Sequence, residues 1–138
     1  MEAVISKSMP VLEAWLEIVA NLEHDITAWC ESEQWTVTVS ETRVIDARPQ
    51  YGLYDIPSLS IETHTFENHL VVEPMAHAFD GTGMVRVYAW PTLYSVRLLY
   101  RGSPTNWEIL TDSRIPLHEE WNKATFMRLA QDLLKADY

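Results

Sequence analysis

The chain changes its hydrophobic period twice. Over residues 10–30, PVLEAWLEIVANLEHDITAWC, the apolar side chains of Val11, Trp15, Ile18, Val19, Leu22, Ile26 and Trp29 return at helical spacing, while Glu13, Glu17, Asn21 and Asp25 fall on the opposite side. This pattern predicts an amphipathic helix with an acidic outer face. Pro10 suits its first turn, where a missing N–H costs nothing. From Trp35 the period becomes two. WTVTV sets Trp35, Val37 and Val39 on one face against Thr36 and Thr38 on the other, a half-buried strand that continues through ETRVIDA with a bulge. RPQYGLYDIPS, with Pro49, Gly52 and Pro57, predicts a loop.

LSIETHT and HLVVEPM predict a hairpin turning near Glu67 and Asn68, and DGTG at 80–83 a turn. MVRVYAW and LYSVRLLYR predict a second hairpin around Pro91 and Thr92, and NWEILTD the last strand. The period then returns to 3.6, with Asn122 as a candidate N-cap and Phe126, Leu129, Ala130, Leu133 and Leu134 as one stripe. Connections this short imply antiparallel pairing. The expected fold class is α+β: an antiparallel β-meander sheet of five to seven strands, with an N-terminal and a C-terminal helix packed on one face, in a single domain over residues 1–138.

Parity within the second hairpin separates its two faces. Val85, Val87 and Ala89 match Tyr94, Val96, Leu98 and Tyr100 as an apolar side that belongs to the core. Met84, Arg86, Tyr88 and Trp90 then share the other side with Ser95, Arg97, Leu99 and Arg101. A two-residue loop at Pro91–Thr92 sets Arg86 directly opposite Arg97. Like charges facing across a strand pair repel, so a carboxylate is expected beside them, and Glu73 on the neighbouring strand is the natural candidate. Cross-strand ion pairing on a solvated face is the ordinary reading of such a set. The functional reading is an anion, or an acidic partner, held at Arg86, Arg97 and Tyr88, with Arg101 and Glu73 at its border. Tyr51 and Tyr54 on a loop and Trp90 at a hairpin tip add exposed aromatic residues suited to a binding edge.

Composition narrows the functional classes. The chain of 138 residues is 47% hydrophobic and 22% charged, which suits a folded globule rather than a disordered tail. Its formal net charge is −10, and the acid is concentrated early: residues 1–80 hold 14 Asp/Glu against 3 Lys/Arg, residues 81–138 hold 6 against 7. So negative a field argues against nucleic acid as a partner, because phosphate contacts need a basic footprint. It suits solubility or a basic partner. No stretch approaches the roughly 18 apolar residues of a membrane span, and MEAVISKSMP lacks the features of a signal peptide. The single cysteine, Cys30, excludes an intramolecular disulfide and fits a reducing compartment, so a cytoplasmic location is expected.

Individual motifs add little chemistry. His64, His69 and His77, with Glu62 and Glu73, could supply imidazole and carboxylate to a metal, but their spacing matches no known site and HExxH is absent. Cys30 ends a helix beside Trp29, a position for a buried, inert thiol. DGTG has neither the lysine nor the following helix of a phosphate loop. Glu119 and Glu120 precede a helix and suit its N-terminal dipole. Trp15, Trp29, Trp35 and Trp107 fall at core positions by period. No metal, cofactor or catalytic residue is expected. The sequence therefore supports a small acidic interaction or regulatory module, non-enzymatic, with a protein partner and compatible with homo-oligomerisation. The alternative is a small-ligand-binding domain, enzymes included, with a pocket between helices and sheet.

Overall fold

The computed structural model describes residues 2–45, 53–75, 82–102, 107–111, 116–117 and 119–136, with side chains in the first helix from Leu12 onward. The expectations at Tyr51, His77 and the start of DGTG lie outside the described residues. The elements run α1 (Glu2–Ser32), β1 (Thr36–Ile45), β2 (Leu53–Glu62), β3 (His69–Pro74), β4 (Gly83–Trp90), β5 (Ser95–Tyr100), β6 (Trp107–Leu110), β7 (Pro116–Leu117) and α2 (Lys123–Lys135). The seven described strands pair in sequence order, each antiparallel to the next. This is the α+β meander that the two changes of period predict, with the helices at its ends and on its buried face.

α1 begins eight residues before the expected start and carries Pro10 inside it. The run EAVISKSM holds no helix breaker, so the helix extends past the proline, which forfeits one bond to the carbonyl four residues back. Leu12, Trp15, Val19, Leu22, Ile26 and Cys30 are buried, while Glu13, Glu17, Asn21 and Asp25 are exposed, as the periodicity requires. The helix ends in a Schellman turn. The N–H of Trp35 donates to the Cys30 carbonyl, that of Gln34 donates to the Glu31 carbonyl, and Gln34 takes a left-handed φ of 63°.

α2 is capped as expected: the Asn122 side chain accepts from the Thr125 N–H at 2.9 Å, and Phe126, Leu129, Ala130, Leu133 and Leu134 are buried. At its other end the Asn68 side-chain amide donates to the carbonyls of Leu134 and Ala136. That contact ties the β2–β3 connection to the helix C-terminus.

α1 lies against β1 and β2, and α2 against β3 and β4. Near the middle of α1, Trp15 packs over a row of three strands formed by Gly83, Tyr100 and Trp107. A Cβ on Gly83 would stand 2.4 Å from the Trp15 ring, so the indole packs directly on the β4 backbone. Trp107 completes the cluster, 6.4 Å from Trp15 and 5.4 Å from Tyr100 between ring centroids.

Four expectations about the strands need correction. Residues 53–58, including Tyr54 and Pro57, belong to β2 rather than to a loop. β2 pairs with β3 only over Leu59–Ile61, so Pro57 lies where the second ladder has ended and its missing N–H is tolerated. β1 has no bulge against β2, for the register runs unbroken from Thr36 opposite Glu62 to Ile45 opposite Leu53.

The buried face nevertheless changes along this ribbon. Leu59 and Ile61 are buried at one end, and Val44, Ile56 and Ser58 at the other. A two-stranded ribbon released from its neighbour twists strongly, and this one rolls over between Ser58 and Leu59. Val39, expected in the core, lies at that point on the sheet edge and is 61% exposed. Finally, NWEILTD is not the last strand, because Pro116–Leu117 adds two further pairs.

Candidate functional site

The β3–β5 ladder fixes the outer sheet face. Val85, Val87, Ala89, Val96, Leu98 and Tyr100 are buried beneath the helices. Tyr94 is the exception: it precedes β5 at the hairpin end and is exposed. The alternate positions of these strands point away from both helices. There Arg86 stands directly opposite Arg97 on β5 and directly opposite Glu73 on β3.

Glu73 is shared. Its Oε1 lies 3.6 Å from Arg86 Nη2, and its Oε2 accepts from the Tyr88 hydroxyl at 3.2 Å. The Arg86 guanidinium also stacks on the Tyr88 ring, 4.1 Å from its centroid, a cation–π contact. Burial, then Glu73, pushes the Tyr88 phenol above its usual pKa, so it remains a donor at neutral pH.

Charge on this face is unevenly matched. Among the described residues Arg97 makes no ion pair, and Arg86 Nε is shut off from solvent without an acceptor. Two guanidiniums thus face one carboxylate. Val71, Met84, Leu99 and Leu110 surround them, each only partly exposed.

Other residues of the expected site lie apart. Arg101, just past β5, is engaged by Glu108 at 2.5 Å. Trp90, opposite His69, is half exposed at the hairpin tip beside the exposed Leu93 and Tyr94. Tyr54 packs against the core from β2. His64 is exposed in the β2–β3 connection. Glu119 turns to Arg128 in a bidentate pair rather than to the start of α2. Cys30 is buried, and burial, then Glu31, pushes its thiol up to about 12.

Two features lie at residues that the sequence did not single out as sites, although a pocket between helices and sheet was among its expectations. The first is a cleft of about 210 Å³ between α1, β6 and the segment that leads into α2, lined by Ile18, Asn21, Leu22, Asp25, Trp29, Trp107 and Trp121. Trp29 and Trp121 meet there at 5.6 Å between ring centroids with their planes inclined at 60°. The signal was present in the spacing, since Asn21, Asp25 and Trp29 form an i, i+4, i+8 stripe on the border of the acidic face. The second is Glu23, buried on the opposite border of α1. Burial, then the charge of Glu41, pushes its carboxyl up to about 8.

Comparison of the chain with protein-family models, curated proteins and solved structures returns no match. No described helix is long and apolar enough to cross a membrane.

Proposed function

We propose that the chain is a non-enzymatic interaction module that receives an acidic segment of a partner protein on the outer face of its sheet. The observation that carries this reading is the cross-strand pair Arg86–Arg97, of which only Arg86 has a carboxylate partner, Glu73, among the described residues. A partner carboxylate placed between the guanidiniums relieves their repulsion and gains charge-assisted hydrogen bonds. Val71, Met84, Leu99 and Leu110 supply apolar area around that contact, and the exposed aromatic tip at Trp90 and Tyr94 extends it.

The test is affinity capture on immobilised wild-type and Arg97→Glu chains, with cross-linking to locate what is held. The expected result is a protein captured by the wild type, lost on charge reversal, and cross-linked through its acidic residues to the β4–β5 face. Identical capture by both baits overturns the reading. A second reading, ligand binding between helices and sheet, is favoured by the tryptophan-lined cleft.

A further inference from the structure

One border of α1 carries a polar and an aromatic residue side by side at the edge of the cleft, Asp25 and Trp29. Asn21, Asp25 and Trp29 succeed one another at four-residue intervals, one helical turn apart. Trp107 rises from β6, anchored by its contacts with Trp15 and Tyr100. Trp121 directly precedes the N-cap of α2 and packs edge-on against Phe126 at 5.8 Å and against Trp29. Each indole is therefore held from behind by another ring. The space they enclose with α1 is about 210 Å³, below the roughly 300 Å³ at which drug-sized pockets begin. It accommodates one small group.

The chemistry of the lining selects that group. Three indoles contribute, and tryptophan is the best cation–π partner among the side chains. Among the described residues of the lining Asp25 is the only charged one, Asn21 the other polar one, and none is cationic. Glu13 and Glu17 continue the acid along the same exposed side of α1, on a chain of net charge −10, so cations are drawn to this region.

A primary ammonium directs its three N–H donors to different sides, and the side-chain acceptors of the described lining, Asn21 and Asp25, lie on one helix, so N–H groups turned toward the indoles would lose their water without an acceptor. A methylated ammonium spreads its charge over methyl groups, asks for no hydrogen bonds, and presents apolar surface to the indoles. We infer that the cleft binds a quaternary or methylated ammonium group, with the cation against Trp29, Trp107 and Trp121 and Asp25 as its counter-charge. This inference rests on the ligand-binding reading of the cleft and is independent of the arginines on the sheet.

The experiment is a titration of the full chain with choline and with its neutral isostere dimethylbutanol, followed by tryptophan fluorescence and calorimetry. Choline is expected to bind saturably and about tenfold or more tightly than the isostere. Asp25→Asn is expected to weaken choline about tenfold and leave the isostere unchanged, and Trp121→Leu to weaken choline at least tenfold. Asp25 is exposed, so its variant keeps the test valid if Trp121→Leu fails to fold. Arg97→Glu is expected to leave choline binding unchanged. Equal affinity for choline and the isostere overturns the cation inference while leaving the cleft a ligand site. Absence of saturable binding by either overturns both. Choline binding indifferent to Asp25→Asn overturns the assigned counter-charge and with it the placement in this cleft.

Discussion

Glu23 offers a measurable consequence of where α1 lies. The residue is 6% exposed and its Oε2 is closed off from solvent with no partner. Burial, then Glu41 on β1, raises its carboxyl from the usual 4.5 to about 8, so the folded chain holds it protonated at neutral pH. Glu23→Gln keeps the shape and removes the titration. Below pH 4.5 both folded and unfolded chains carry the proton, and the acid costs nothing. Between 4.5 and about 8 the unfolded chain ionises while the folded one does not, so stability falls as pH rises, by up to about 1.4 kcal/mol per unit. Above about 8 both forms are ionised, and the loss levels off at roughly 4–5 kcal/mol.

The stability gained by Glu23→Gln over wild type should therefore grow from about 1 kcal/mol at pH 5 to about 3 kcal/mol at pH 7. Urea denaturation of both chains across this range measures it, and subtraction removes the contribution of the other carboxylates. A difference that stays constant with pH, or shrinks as pH rises, would refute the reasoning. Glu41→Gln supplies the control: it should reduce the pH dependence only in part, because burial is the larger cause.

Three further substitutions test separate parts of the fold. Gly83→Ala should destabilise by about 1–3 kcal/mol in denaturant titration, because its Cβ would overlap the Trp15 ring where backbone and indole touch. Gln34→Gly should stabilise by about 0.5–1 kcal/mol, read as a raised thermal midpoint, since glycine adopts the left-handed φ of the Schellman turn without a Cβ penalty. Arg97→Ala should change stability by under about 1 kcal/mol in either direction, because Arg97 makes no ion pair among the described residues and loses a like-charged neighbour. A melt lowered by more than that would give Arg97 a structural role.

The elements were legible wherever the hydrophobic period was clean. α1 and α2 showed unbroken apolar stripes, and β3, β4 and β5 alternate buried and half-buried positions without a slip. Parity placed Arg86 and Arg97 on one face, because a period of two leaves no intermediate choice, and the two-residue loop at Pro91–Thr92 set them opposite each other. The β1–β2 ribbon was less legible for a physical reason. Its register is continuous, yet its buried side changes where β3 stops pairing. Twist around the ribbon axis leaves no mark on alternation read strand by strand, and Val39 and Tyr54 were misplaced accordingly. Pro57 looked like a loop residue because composition cannot tell the unpaired side of a strand from a turn.

The candidate sites divide along the same line. The arginine cluster is made within a single meander, so neighbouring strands were enough to find it. The tryptophan cleft joins residues 18–29, 107 and 121, which meet only when the sheet has brought β6 under α1 and the chain has turned into α2. Period assigned Trp29 and Trp107 to the core, and both do pack on it. What period could not show is that α1 has two borders of different character. On one, Glu23 is pressed against β1 and kept neutral by burial. On the other, Asp25, two residues later and about 200° further around the helix, is exposed at the edge of three indoles. The same side-chain chemistry is thus suppressed on one border and left available on the other. What packs on each border decides between these outcomes: β1 and β2 on one side, Trp107 and Trp121 on the other.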